Sequence, residues 1–155
     1  MFIFLITAVV IIIDQYTKNL IRSSFVEGDS LPIIQDFFHL TFIKNTGAAF
    51  SMLEGEYLLT IGIPIILIVI GLVFLIKNYK NMHITLKISV PLILGGGLGN
   101  LFDRIVYGYV VDMFDFRIFP IFNIADIAIS VGCALLCIFV IFYDEEKGTK
   151  KNASD

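Results

Sequence analysis

Uncharged stretches recur along the chain and dominate its hydropathy pattern. Residues 57–76 and 88–102 contain no charged side chain, Met1 to Ile13 contains none, and 118–143 contains only Asp126. An α-helix rises about 1.5 Å per residue, so roughly 20 apolar residues cross the core of a bilayer. The pattern therefore predicts four transmembrane helices, over about 1–21, 57–76, 85–103 and 124–143.

The composition indicates that lipid, rather than water, surrounds most of this chain. Of its 155 residues, 57% are hydrophobic, and the mean hydropathy is +0.89. A soluble fold of this size could not bury so much apolar surface in one core. Cys133 and Cys137 lie four residues apart in an apolar run, which indicates packing residues on one helix face rather than a disulfide or a metal pair. No basic stripe or DNA-reading motif suggests a nucleic-acid partner.

The lysines predict how the chain is oriented in the membrane. They cluster after the second span and in the tail, as Lys77, Lys80, Lys87, Lys147, Lys150 and Lys151. By the positive-inside rule both regions are cytoplasmic, as are both termini, and the segments of about 22–56 and 104–123 are extracytoplasmic. We expect one transmembrane domain over residues 1–143 and a polar, disordered cytoplasmic tail over 144–155. The alternative of a cleaved signal peptide over the first span lacks a basic start and a small-x-small cleavage site.

The first extracytoplasmic segment has the composition of short strands. Leu31 to Asn45 mixes apolar and polar residues, is enriched in β-branched and aromatic side chains, and is bounded by Gly28 and Gly47. We therefore expect a membrane all-α fold, a four-transmembrane-helix bundle with a small extracytoplasmic β-cradle on the membrane surface. An interfacial loop is the alternative. The following stretch GAAFSML indicates a short interfacial helix.

Five carboxylates are predicted to lie near the outer membrane face: Asp14, Asp103, Asp112, Asp115 and Asp126. A charged aspartate inside a membrane costs about 2.5 to 3.5 kcal/mol on insertion scales, so its presence there indicates a function. The structural alternatives are that Asp126 only caps a helix and that Asp112 is only a loop carboxylate at the interface.

A pair of these carboxylates could hydrolyse a peptide bond. Two carboxylates a few ångströms apart share a proton, so that one takes a proton from water while the other donates one to a carbonyl oxygen. Three asparagines and an arginine near the same face, Asn45, Asn100, Asn123 and Arg104, could orient a peptide or a carboxylate. As alternatives, Asn45 is a turn residue, Asn123 a helix cap and Arg104 an interfacial snorkelling residue.

Other devices and functions have less support. His39 and His83 fall on opposite predicted faces, and neither an H-E-x-x-H nor a G-x-S-x-G motif is present. A proton-coupled transporter would favour internal repeats and midplane sites, whereas these aspartates cluster at one face. A presenilin-type protease would need a glycine-x-glycine-aspartate run, which is absent. A membrane scaffold, in which the carboxylates pair with Arg104 and Lys18, stays open.

Four ordered blocks give the chain a family resemblance. They are DQYTK at 14–18, KNTGAAF at 44–50, GGGLGNLFDRIVYGYVVDMFDF at 95–116 and FPIFNIAD at 119–126. In this order the blocks resemble the bacterial lipoprotein signal peptidases, also called signal peptidase II, over the chain from the first span to the fourth.

The resemblance implies more than the residues alone establish. It implies that Asp112 and Asp126 form a catalytic dyad, which selects Asp112 over Asp103 and Asp115. It implies substrate-binding or supporting roles for Asp14, Lys18, Asn45, Gly97, Asn100, Arg104, Asn123 and Ala125. The implied enzyme is an aspartic endopeptidase of the bacterial cytoplasmic membrane, with its site at the extracytoplasmic face. It would remove the signal peptide of prolipoproteins by cutting before the diacylglyceryl-modified cysteine.

The same resemblance sets expectations about partners. No cofactor and no metal are expected. Besides the substrate, the expected partners are membrane lipids and globomycin-type cyclic peptide inhibitors, and the chain is expected to act as a monomer.

Overall fold

Four membrane-length helices form the body of the protein. The computed structural model describes residues 2–47 and 58–152, and in these ranges four helices are long and apolar enough to cross a membrane. They are α1 (Phe2–Ser24), α2 (Ile63–Asn78), α3 (Ile84–Tyr107) and α4 (Ile124–Asn152). A π-helical turn at Leu58–Gly62 precedes α2, and a 3-10 turn at Tyr79–Asn81 follows it. The predicted four-helix architecture is confirmed.

Several helix ends differ from the sequence-based boundaries. The first helix ends at Ser24 and not at 21, and α2 covers Ile63–Asn78 and not 57–76. The third helix continues past 103 and ends where Gly108 adopts φ 78° and donates its N–H to the carbonyl of Arg104, because glycine takes this left-handed conformation without strain. The fourth helix continues to Asn152, so the expectation of a disordered tail from 144 is wrong over most of that range. The expected interfacial helix in GAAFSML lies, after Gly47, outside the described residues.

Pro64 lies in the first turn of α2, directly after the π-helical turn Leu58–Gly62. Proline has no N–H to donate, and the first turn is the part of a helix that tolerates this best. Most side chains of α2 are exposed and apolar, including Ile66, Leu67 and Ile70. Such a surface suits lipid, because hydrocarbon tails cover apolar side chains without cost.

The third helix is the centre of the bundle. In its membrane-spanning part 56% of the residues are buried, compared with 22% or less in the other three. At Gly95 the backbone of α3 packs closely against Thr7 and Val10 of α1. At Gly96 it packs closely against the carbonyl of Ala125 in α4. Small residues permit such close approach of helices in a membrane, so the glycine run holds α1 and α4 against α3.

A three-stranded antiparallel sheet covers one end of the bundle. It consists of β1 (Ser30–Ile34), β2 (Phe38–Asn45) and β3 (Val110–Asp115), in the spatial order β1-β2-β3. The first two strands confirm the predicted β-segment. The third was not predicted: Asp112 lies in a strand, opposite Ile43, and not in a loop. An isolated bridge from Phe114 to Phe122 then ties β3 to the chain that enters α4.

Substituting Gly96 tests whether the close contact of α3 and α4 determines stability. A Cβ at Gly96 would overlap the carbonyl oxygen of Ala125. Gly96→Ala is therefore expected to destabilise the protein by about 1–3 kcal/mol through overpacking, seen as a lower unfolding temperature in detergent.

Gly97→Ala is the matched control. Its Cβ would meet Ile68 at 3.5 Å, an ordinary contact, so the unfolding temperature should stay the same or rise slightly. Equal unfolding temperatures of the two variants would contradict the proposed importance of the α3–α4 contact.

Candidate active site

A cavity with both polar and apolar lining lies between the sheet and the ends of α3 and α4. Its volume is about 310 Å³. The polar lining consists of Asn45 from β2, Asp112 from β3, Asn100 and Arg104 from α3, and Asn123 and Asp126 at the start of α4. An apolar wall completes it, formed by Val110, Phe119, Pro120, Ile121 and Phe122. Six of the residues singled out from the sequence thus share one cavity.

Asp126 and Asn123 begin α4 with reciprocal hydrogen bonds. The backbone N–H of Asp126 donates to Asn123 Oδ1 at 3.0 Å, and the backbone N–H of Asn123 donates to Asp126 Oδ2 at 3.1 Å. Both N–H groups would otherwise lack a partner at the helix terminus, so this arrangement acts as a capping box. The cap interpretation of both residues is therefore correct, and it coexists with their position in the cavity.

The Asn123 side chain also reaches Asp112. Because its Oδ1 accepts from Asp126, its Nδ2 is free to donate to Asp112 Oδ1, at 2.7 Å. The second oxygen of Asp112 accepts from Asn45 Nδ2 at 2.9 Å. Asn123 therefore connects the two aspartates: it touches both, through different atoms.

Asp112 has an unusual proton affinity. Burial raises its pKa from 3.8 to about 6, against the hydrogen bonds from Asn45 and Asn123, and the nearby charge of Asp126 adds to the rise. A carboxyl group with this pKa is neutral in part of the population near neutral pH, which suits acid–base chemistry.

Behind Asp126 lies a network of buried charges. Asn100 Nδ2 donates to Asp126 Oδ1 at 2.8 Å, and Lys18 Nζ donates to Asn100 Oδ1 at 2.8 Å. The ammonium of Lys18 also pairs with Asp14 at 2.9 Å and with Asp103 at 2.8 Å. All three of these charged side chains are fully buried, so the pairing compensates charges that lipid could not solvate.

Two neighbours complete this network. Arg22 pairs with Asp103 at 3.2 Å, which makes the cluster of two cations and two anions neutral. Gln15 Nε2 lies 3.1 to 3.3 Å from Asp14, Asp103 and the carbonyl of Gly99, so its two hydrogens are shared among three acceptors. The second oxygen of Asp14 accepts the backbone N–H of Ala125 at 3.0 Å, which fixes the first turn of α4 to α1.

Arg104 holds the end of β2 in place. Its Nη2 donates to the carbonyl of Gly47 at 3.0 Å, and the N–H of Gly47 donates to Asn45 Oδ1 at 3.1 Å. Because Oδ1 of Asn45 is used in this way, its Nδ2 points to Asp112. Arg104 thereby supports the orientation of Asn45 while its own charge acts on Asp112 and Asp126.

The remaining predicted residues lie outside the cavity lining. Asp14, Lys18 and Ala125 lie behind it and contact its members or their helices. Gly97 faces Ile68 of α2, in a helix contact. Gln15 and the wall of residues 119–122 were not singled out from the sequence as site residues, since nothing in an uncharged amide or an apolar run marks it as part of a site. In the described residues no group of three His, Cys, Asp or Glu side chains could hold a metal ion.

Comparison with known proteins decides the family. The profile of the family described as signal peptidase (SPase) II matches residues 6–142. The chain belongs to the signal peptidase II family. Curated relatives named lipoprotein signal peptidase include that of Halothermothrix orenii, 43% identical over 94% of this chain and 97% of the relative, and that of Moorella thermoacetica, 40% identical over 93% and 95%.

The fold agrees with this membership in signal peptidase II. A solved structure described as a bacterial membrane enzyme superposes with a TM-score of 0.82 at 36% identity, covering 90% of this chain and 87% of that one. A second structure with the same description gives 0.80 at 36% identity, over 90% and 92%. With its four apolar helices, this member of the family is a multi-pass bacterial membrane protein and a protease.

Asn123 variants separate the cap from the contact with Asp112. Asn123→Ala removes both, so we expect a stability loss of about 1 kcal/mol or more and a loss of signal peptidase activity. Asn123→Ser keeps a capping oxygen, but its side chain lacks the Nδ2 position and is too short to reach Asp112, so near-normal stability with low activity is expected. Thermal unfolding and peptidase assays in detergent measure the two effects; full activity of Asn123→Ser would show that the contact with Asp112 is dispensable.

The raised pKa of Asp112 predicts a pH-dependent stability. The folded protein keeps a proton on Asp112 between about pH 4 and 6 that the unfolded chain releases, so this carboxyl contributes stability that is lost as the pH rises through about 6. The stability of Asp112→Asn relative to wild type should therefore rise from about pH 4 to about pH 7, by at most about 3 kcal/mol. Thermal unfolding in detergent at several pH values measures it.

Asp115→Asn, in the same strand, is the control for this trend. Burial opposes the ionised form of Asp115, but hydrogen bonds from Arg117 and Thr41 outweigh it and lower its pKa. Its stabilising effect is therefore fully present above its unfolded pKa of about 4 and is lost only as the pH falls below that value. The stability of Asp115→Asn relative to wild type should stay level between about pH 4 and pH 7 and rise only below about pH 4. The same trend in both variants would contradict the raised pKa of Asp112.

Proposed function

We propose that this protein is a membrane aspartyl endopeptidase that removes signal peptides from diacylglyceryl-modified prolipoproteins. It cuts before the lipidated cysteine and uses Asp112 and Asp126 as an aspartate dyad that activates water. The observation that carries the proposal is the pairing of these two carboxylates in one cavity through Asn123. The names of the curated relatives, lipoprotein signal peptidases, support the substrate class.

The hydrogen bonds around the dyad direct its proton into the cavity. Both oxygens of Asp112 accept an N–H from the protein, and so do both oxygens of Asp126. A proton shared by the pair therefore cannot point at these donors and points to the open side, where water or a carbonyl oxygen would lie. This is the direction in which an acid–base pair has to act on a substrate.

The reaction follows the chemistry of paired carboxylates. The ionised aspartate takes a proton from water as the water oxygen bonds to the scissile carbonyl carbon, and the protonated aspartate donates to the carbonyl oxygen. The aspartate that took the proton from water gives it to the amine of the lipidated cysteine as the C–N bond breaks. A hydroxyl group of the tetrahedral species returns its proton to the other aspartate as the new carboxyl group forms. The dyad then has one proton again. No cofactor or metal takes part.

Arg104 suits a singly charged dyad. With one shared proton, the pair carries one negative charge, which the guanidinium in the same cavity can balance. Arg104 is also in a position to bind a substrate carbonyl, since it lines the cavity beside both aspartates. The apolar wall formed by residues 119–122 suits the hydrophobic end of a signal peptide.

The distribution of the lysines supports one orientation of the protein and its cavity in the membrane. We place both termini in the cytoplasm and the cavity at the extracytoplasmic face of the cytoplasmic membrane, where a signal peptide helix and lipid tails bring the scissile bond and water can enter. Membrane lipids surround the bundle, globomycin-type cyclic peptides would compete for the same cavity, and the chain acts as a monomer. Accessibility of engineered surface cysteines to a membrane-impermeant reagent tests the orientation.

Neutral substitutions test the dyad. Asp112→Asn and Asp126→Asn should each lower the cleavage rate of a diacylglyceryl-modified prolipoprotein about a thousandfold or more, because the proton transfers that the pair performs are lost. The rate is measured with purified protein in detergent, and the release of the signal peptide is followed by gel or mass spectrometry.

Asp115→Asn is again the matched control. It removes a carboxylate of the same strand that is 4% exposed, but this carboxylate pairs with Arg117 and Thr41 and does not line the cavity. Its turnover should stay within about tenfold of wild type, since only local packing changes. Near-normal cleavage by either dyad variant, confirmed to be folded, would end the proposal.

A further inference from the structure

The buried ammonium of Lys18 lies one side chain behind Asp126 and has no part in the steps above. Lys18 has no solvent exposure. Its Nζ lies 2.8 to 2.9 Å from Asp14, Asp103 and Asn100 Oδ1. An ammonium can donate but cannot accept, and the atoms around this one are two carboxylate oxygens and an amide oxygen.

This contact fixes the direction of the Asn100 amide. Lys18 can only donate, so Asn100 has to turn its oxygen towards Lys18 and its Nδ2 towards Asp126 Oδ1. Without Lys18 the amide could flip and offer its oxygen to Asp126. An amide oxygen binds a protonated carboxyl, whereas an amide N–H binds an ionised one. The direction of one amide thus favours one charge state of Asp126.

We propose that Lys18 is a positioning residue that, through Asn100, keeps Asp126 ionised and leaves the shared proton on Asp112. The inference rests on the proposed function and deepens it, because it assigns the base to Asp126 and the acid to Asp112. Lys18 does not touch the substrate; it acts through the amide that it orients.

Two other differences between the aspartates act in the same direction. Asp126 is partly exposed and lies in the first turn of α4, where a backbone N–H and the helix dipole favour a negative charge. Asp112 is only 4% exposed and lies in a strand. It accepts amide N–H groups from Asn45 and Asn123, which favour its ionised form, but burial outweighs them and favours the neutral form. The amide that Lys18 orients adds to an asymmetry that the fold already contains.

The proposed effect of Lys18 on the charge state of Asp126 does not depend on net charge alone. The charged groups around the Asp126 side of the site are Asp112 from β3, Arg104 and Asp103 from α3, and Asp14, Lys18 and Arg22 from α1. Asp14 and Asp103 offset the charges of Lys18 and Arg22, so the cluster behind Asn100 is neutral. Lys18 therefore acts on Asp126 through the orientation of the Asn100 amide and through the polarisation of this amide by the ammonium.

A charge-balanced variant tests this role. Lys18→Met combined with Asp103→Asn removes one cation and one anion, so the net charge of the cluster stays the same while the Asn100 amide is released. We expect the acidic limb of the pH profile of kcat/KM to move up by about one pH unit, with about a tenfold loss of kcat near pH 6 and little change in KM. Circular dichroism in detergent confirms folding.

Asp103→Asn alone is the control, because it leaves the contact between Lys18 and Asn100 intact. Its acidic limb should not move up. An unchanged limb in the double variant, or an equal upward shift in Asp103→Asn, would overturn the proposal. If the double variant does not fold, Asn100→Leu carries the same test, because it removes the N–H donor from Asp126 and leaves all four charges in place; an unchanged limb there would overturn it equally.

A spectroscopic titration makes the result independent of turnover. In an Asp112→Asn background, infrared difference spectroscopy with labelled aspartate follows the Asp126 carboxyl, identified by the band that Asp126→Asn removes. Adding Lys18→Met and Asp103→Asn should raise the midpoint of this titration by about one pH unit, and equal midpoints would refute the role of Lys18. Because the experiment needs no cleavage, it distinguishes failure of this inference from failure of the proposed peptidase reaction.

Discussion

Charge inside a membrane has to be compensated by the protein, and this constraint governs how the helices of this bundle meet. Lys18, Asp14 and Asp103 are fully buried and lie on two different helices. A buried charge that loses its partner is strongly destabilising, so α1 and α3 have to be in register for either to be stable in lipid. Buried ion pairs need not raise the net stability of the protein. They do specify one arrangement of the two helices, because a shift by one helical turn would leave charges unpaired.

The glycine run of α3 makes this pairing possible. Gly95 permits backbone contact with α1, and Gly96 permits it with α4. Side chains as short as aspartate and asparagine can bridge two helices only when the backbones are close. Gly99 illustrates this directly, since its missing Cβ leaves room for the carboxylate of Asp14. Packing and polar contacts therefore depend on the same small residues.

Much of the fold could be predicted from the sequence, because a bilayer restricts the choice so strongly. The four spans follow from uncharged stretches of helical length, and the strands around Leu31 to Asn45 follow from composition and flanking glycines. The third strand could not be predicted: VVDMFD is short, carries two carboxylates and pairs with β2 only because α3 ends at Gly108 and returns the chain to the sheet. The continuation of α4 to Asn152 was missed because a charged segment carries no apolar periodicity.

The site was predictable in its members but not in its connections. Residue type and depth brought the aspartates and asparagines together, and family resemblance selected Asp112. Which atom of each asparagine faces which aspartate depends on the partner of its other polar atom. For Asn100 this partner is the distant Lys18, whereas for Asn45 and Asn123 it is a backbone N–H two or three residues further along the chain. The direction of the Asn100 amide is therefore a property of the assembled structure that no local sequence pattern could provide, whereas the amides of Asn45 and Asn123 are oriented by contacts within their own turns.

The first turn of α4 is where these connections meet. Asn123 donates to Asp112 of β3, Ala125 donates to Asp14 of α1, and Asp126 accepts from Asn100 of α3. Three residues of one helical turn thus bind three different elements, so the position of Asp126 relative to Asp112 is set by the whole bundle and not by a loop. Acid–base catalysis depends on sub-ångström placement of its groups, which side chains on rigid elements with fixed partners provide. The same capping bonds that begin the helix therefore also hold the two carboxylates in one cavity, which explains why a cap and a candidate catalytic residue coincide at Asp126.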